Sequence, residues 1–113
     1  MNTATEKTAV DKAEEYYNST PADEFYFKIW GGTHIHVGIY DHAKEPIKDA
    51  SPKIVHMMAS KLKLDSNTKL LDLGSGYGGA ARFLAKKFGV QVTCLNLSET
   101  QNERNRGLNK EAG

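Results

Sequence analysis

The chain has 113 residues, 39% of them hydrophobic and 26% charged, the composition of an ordinary soluble protein with room for one small domain at most. Fifteen basic against 14 acidic side chains give a net charge of +1, so nothing steers the chain toward nucleic acid or an anionic membrane. No apolar run approaches the ~20 residues that span a bilayer, Met1 to Lys12 lacks the apolar stretch of a secretory signal, and a lone cysteine cannot form an internal disulfide; a cytoplasmic location is expected.

Taken in chain order, residues 5–17 read as a helix rich in Glu, Lys and Ala, with Val10, Ala13 and Tyr17 on one side. Asn18 to Pro21 breaks it. Glu24 to Trp30 then places four aromatics in seven residues, and after Gly31-Gly32 the run His34-Ile-His-Val-Gly-Ile-Tyr40 alternates like a short strand or a loop. Ser51-Pro52 carries the signature of a helix start, serine as N-cap and proline at the first position. That helix presents Ile54, Val55, Met58 and Leu62 and stops near Leu64–Asn67.

Beyond this point the pattern changes. Lys69–Leu73 reads as a short apolar strand, Gly74-Ser-Gly-Tyr-Gly-Gly79 as a glycine-dense turn, and Ala80–Phe88 as a helix closed by Gly89. Val90–Leu95 is a second strand, in which Cys94 reads as a small buried hydrophobe. Ser98 caps a third helix, with Gln101 three residues on completing a capping box. The order strand, helix, strand, helix predicts an α/β fold with parallel strands. Residues 1–50 form a helical and aromatic N-terminal segment, and 51–113 the start of a cofactor-binding domain.

The turn carries the sharpest chemical signal. A strand reverses into a helix within a few residues, and side chains at Gly74 and Gly76 would block a ligand lying against the backbone. The following helix offers unpaired N–H groups and the positive end of its dipole. Asp72, two positions before the first glycine, is placed to orient the loop or to accept from an ammonium group. A tight turn without a ligand, and a nicotinamide or flavin site, are the alternatives, although the spacing departs from the dinucleotide fingerprint G-x-G-x-x-G. The second strand ends at Asn96, where a ribose partner is expected and a dinucleotide site would carry Asp or Glu. His34, His36 and His42 do not form a convincing ligand set, so no metal site is expected.

These residues resemble the S-adenosylmethionine-dependent methyltransferase superfamily. Leu-Leu-Asp-Leu-Gly-Ser-Gly-Tyr-Gly-Gly (70–79) is similar to its first motif, and Leu-Asn-Leu-Ser-Glu-Thr-Gln (95–101) to the ribose-binding segment of the branch holding the cyclopropane-fatty-acid synthases and phosphoethanolamine methyltransferases. Tyr16-Tyr17-Asn18 and the stretch from Glu24 to Tyr40 are very like the sarcosine and dimethylglycine N-methyltransferases that make glycine betaine. The resemblance covers essentially all of the chain.

The resemblance implies the first half of a Rossmann-like class I methyltransferase fold with an N-terminal lid, and S-adenosylmethionine as cofactor. Gly74, Ser75 and Gly76 would line its methionine and ribose portion, with Asp72 beside them; Asn96 and Leu97 would flank the ribose and Gln101 would touch the cofactor. The lid would contribute Tyr26, Trp30 and His36, with Tyr17 in the active site. Aromatic faces suit a sulfonium and a methylated ammonium, each ring contributing ~0.5–2 kcal/mol. The substrate would be a small amine, sarcosine or N,N-dimethylglycine. A non-catalytic cofactor-binding or assembly module and a fragment of a nicotinamide oxidoreductase are the competing functions. The family continues for more than as long again, and two parallel strands lack a well-buried core. The expectation is therefore a fragment of a larger enzyme, or a chain that self-associates, inactive alone.

Overall fold

The computed structural model describes residues 6–30 and 32–113. Its first element, α1 (Ala9–Asn18), starts where Thr8 and Asp11 form a reciprocal capping box. Thr5, the expected start, lies outside the described residues. The sequence stripe on this helix is only partly used: Val10 is exposed, and none of its residues is buried.

The break at Ser19 is brief. Ser19 accepts from the Ala22 N–H and caps a short helix, α2 (Thr20–Glu24), with Pro21 in its first turn. The aromatic stretch Phe25–Trp30 continues as a π-helical turn. Its wider, i→i+5 bonded turn brings residues five apart near one another, so Phe25 and Trp30 meet with ring centroids 6.1 Å apart. The alternating run 34–40 is a loop rather than a strand.

Helix α3 spans Ile47–Ser60, five residues earlier at its start than Ser51-Pro52 suggests. Pro46 already sets the extended N-cap, and Asp49 faces the positive end of the helix dipole. Pro52 lies within the helix, and Ser51, fully buried, donates its hydroxyl to the carbonyl of His36 at 3.2 Å. The serine therefore pins the N-terminal loop to the domain instead of capping.

The β-α-β unit follows as read: β1 (Lys69–Leu73), α4 (Gly79–Phe88) closed by Gly89, and β2 (Gln91–Leu95). The strands are parallel, paired from Lys69 with Gln91 to Leu73 with Leu95. Helix α5 (Glu99–Ala112) is capped by Ser98, whose hydroxyl accepts from the Gln101 N–H. Gln101 does not complete a capping box; its side chain turns to Asn96. Burial alternates along both strands. Leu70, Asp72, Val92 and Cys94 are half-buried, Cys94 thus less enclosed than expected, whereas Leu71, Leu73 and Leu95 are about 60–68% exposed. Parallel sheets ordinarily bury both faces, and here one stands bare.

Candidate functional site

The site is built where β1, β2 and the N-terminal segment meet. At the end of β1 the backbone turns so that the N–H groups of Gly74 and Ser75 both donate to the Leu95 carbonyl, at 2.8 and 3.2 Å. That pair of bonds sets Asn96 beside the glycine turn. Gly74 and Gly76 have φ of +70° and +55°, a backbone region that side chains disfavour. A Cβ on Gly74 would project into open space, and one on Gly76 would lie 3.0 Å from Ile35 Cδ1. Helix α4 has no side-chain cap at its start, so its first N–H groups stay available.

A cleft of about 280 Å³ opens beside this turn, lined by Gly74, Gly76, Asn96, Leu97 and Gln101 together with Tyr17 and Tyr26. Asn96 Nδ2 donates to Gln101 Oε1 at 2.9 Å. Gln101 is buried, and its Nε2 has no partner. A buried amide donor left open costs free energy unless a ligand meets it. The Tyr26 phenol is pushed up to about 12, first by its contact with the Tyr16 hydroxyl and then by burial, so it stays a neutral donor.

Ile35 also lines a second, adjoining cavity of about 230 Å³, which includes His34, His36, Asp72 and Ser75. Here too buried polar atoms stand without partners: His34 Nδ1, His36 Nε2 and Ser75 Oγ. Burial pushes His34 down to about 4, helped by the positive potential of His36, Arg82 and His56. Burial raises Asp72, an effect that His36 partly offsets.

Seven of the residues singled out in the sequence thus share the first cleft: Tyr17, Tyr26, Gly74, Gly76, Asn96, Leu97 and Gln101. Asp72, Ser75 and His36 line the second cavity, which Gly74 and Gly76 also reach. Trp30 lines neither. It faces a groove with Ile47 and Lys48, and its indole N–H donates to the His36 carbonyl at 3.2 Å, which makes it a support for that loop. Ile35 went unnoticed in the sequence, where it is one apolar residue in an alternating run. So did the junction between α2, the glycine turn and α5, in which the Tyr77 hydroxyl and the Arg104 guanidinium both reach Asp23. Tyr77, the one large side chain among four glycines, gave a signal for it; Asp23 and Arg104 gave none.

The fit to an S-adenosyl ligand rests on three local features: a backbone turn left bare, an open amide donor next to Asn96, and two tyrosines lining the same cleft. The architecture is that of the front part of a class I S-adenosylmethionine methyltransferase. It superimposes with a TM-score of 0.76 on a sarcosine dimethylglycine methyltransferase structure from Galdieria sulphuraria, at 47% identity, over 87% of this chain and 38% of that one. The cyclopropane synthase MmaA2 of Mycobacterium tuberculosis, at 18% identity and the same score, shares the fold.

Residues 4–113 match the family described as mycolic acid cyclopropane synthetase, and the chain belongs to that family. Among curated proteins it is 50% identical over its whole length to a sarcosine/dimethylglycine N-methyltransferase of Halorhodospira halochloris, of which it covers 41%. To the enzyme of that name from Aphanothece halophytica it is 52% identical over 96% of this chain and 40% of the relative. The chain therefore spans about two fifths of the length of these relatives.

Proposed function

We propose that this chain carries the cofactor cradle and aromatic lid of an S-adenosylmethionine-dependent N-methyltransferase that converts sarcosine and N,N-dimethylglycine toward glycine betaine, in the cytoplasm. The observation that carries the reading is the single cleft in which Tyr17 and Tyr26 face Gly74, Gly76, Asn96 and Gln101. Identity of 50–52% to the two named N-methyltransferases supports the choice of amine.

When bound, S-adenosylmethionine supplies an electrophilic methyl group on a sulfonium. The residues here do the positioning. The bare turn at Gly74 and Gly76 admits the ligand to backbone contact, Ser75 and Asp72 support that turn from the adjoining cavity, and Asn96 with Gln101 offers the acceptor and donor that ribose hydroxyls need. Tyr17 and Tyr26 present ring faces to cationic ligands and exclude water. The amine must arrive with its lone pair free, and alignment in a dry site contributes most of the rate. His36 and Trp30 hold the loop over Asp72.

Adenine recognition and the rest of the amine pocket lie outside these 113 residues in this reading, and residues 1–113 alone do not turn over. The bare leucine face of the sheet supports that view. Incubating the full-length protein with methyl-labelled cofactor and dimethylglycine tests the function: labelled betaine is expected. Binding of NAD with no binding of S-adenosylhomocysteine would refute it.

A further inference from the structure

We infer that Asn18 is the latch of the aromatic lid, a positioning residue that holds Tyr17 over the cofactor cleft by capping the helix that carries Gln101; this rests on the cofactor reading above. Helix α1 has no buried residue, so apolar packing does little to fix it. Its last residue is instead bound to the start of α5 by three hydrogen bonds. Asn18 Oδ1 accepts from Ser98 Oγ at 2.7 Å and from the Thr100 N–H at 3.1 Å, and the Asn18 carbonyl accepts from Thr100 Oγ1 at 3.0 Å. Thr100 is the second residue of α5, where an N–H has no partner within its own helix. Asn18 therefore supplies from 82 positions away the cap that local sequence ordinarily provides.

The bonds continue into the cleft. Ser98 Oγ, while donating to Asn18, accepts from the Gln101 N–H at 3.3 Å. One end of this chain is next to Tyr17 and the other is Gln101, and both line the cleft. The attachment is polar, short and at a helix end, so it can break and re-form by exchanging its hydrogen bonds with water. That is what a lid needs if ligands are to enter and leave beneath it.

The side chain works only as an acceptor, which separates the latch from generic packing. In the full-length protein, Asn18→Ala should weaken S-adenosylhomocysteine binding about threefold to thirtyfold, the range of losing a helix cap. It should also speed amide exchange at Thr100. Asn18→Asp keeps both acceptor bonds and should restore both readouts. In a Tyr17→Ala background, where the ring to be positioned is gone, Asn18→Ala should change affinity less than about twofold, the non-additivity of coupled neighbours. Equal losses in both backgrounds, or no rescue by aspartate, would overturn the latch. If the parent protein failed to bind S-adenosylhomocysteine at all, the cofactor reading would fall; Thr100 exchange would then show whether the cap exists, and unchanged exchange in Asn18→Ala would overturn the latch too.

Discussion

The hydroxyl of Tyr77 donates to Asp23 Oδ1 at 2.9 Å across 54 positions of sequence, and this bond joins the glycine turn to α2. Tyr77 is fully buried, packs edge-on against Phe27 at 5.6 Å, and shares Asp23 with Arg104, whose guanidinium lies 4.0 Å from the Phe27 ring centroid. The glycine turn thus anchors the N-terminal helical segment.

Breaking this junction should loosen both. Asp23→Asn is expected to cost about 1.5–3 kcal/mol, the range for hydrogen bonds to a charged group. Arg104 holds the Asp23 carboxyl below its ordinary range, with Tyr77 adding to the effect. A depressed folded pKa contributes stability above the unfolded value, and that contribution is lost as pH falls through the folded one. Urea melts of parent and variant should therefore differ at neutral pH and converge at the acid end, below the usual carboxylate range.

His34 predicts a separate pH effect. Its folded value is pushed down to about 4, against an ordinary value near ~6.5. Between these the unfolded chain binds the extra proton, so stability falls as pH drops from 6.5 toward 4 and levels below that. His34→Gln should remove this slope, measured as melting temperature against pH.

Glycine positions in the turn should separate ligand binding from folding. Gly76→Ala places a methyl 3.0 Å from Ile35 Cδ1 at a φ of +55°. It should cost about 1 kcal/mol in stability and weaken S-adenosylhomocysteine binding about tenfold. Gly89→Ala makes the control: φ is +69°, but the new methyl meets only Ser66 at ordinary contact distance. It should lower stability similarly and leave affinity unchanged, as read by paired thermal melts and calorimetric titrations.

Local chemistry explains what the sequence disclosed. β1, the glycine turn, α4 with Gly89 and β2 lie within a residue of their expected positions, because alternation, apolar runs and left-handed glycines act over a few neighbours. Helix α3 was misplaced because Ser51-Pro52 has the residues of a cap, while Pro46 starts the helix and the His36 carbonyl takes the serine hydroxyl. The same competition took the Gln101 side chain from its capping box to Asn96. Asn18 read as a helix breaker, and its partners Ser98 and Thr100 are visible only in three dimensions. Of the site, the glycines and the 95–101 segment were legible, whereas Ile35 and the support by Trp30 depended on how the loop 32–46 folds back.

The bare face of the sheet should govern behaviour of the 113-residue chain in solution. Leu73 and Leu95 are adjacent in register and both exposed, with Leu71 beside them. Apolar patches of this kind associate. Light scattering should give a mass above that of the monomer, and serine at Leu71, Leu73 and Leu95 together should shift it down to the monomer.

Amide chemical-shift mapping of S-adenosylhomocysteine on the full-length protein tests the cofactor's place in this cleft most directly. Shifts concentrated at Gly74–Gly76, at Asn96–Gln101 and around Tyr17 and Tyr26 are the predicted result. Binding that left these residues unmoved, with shifts elsewhere on the chain, would contradict the placement of the cofactor in this cleft.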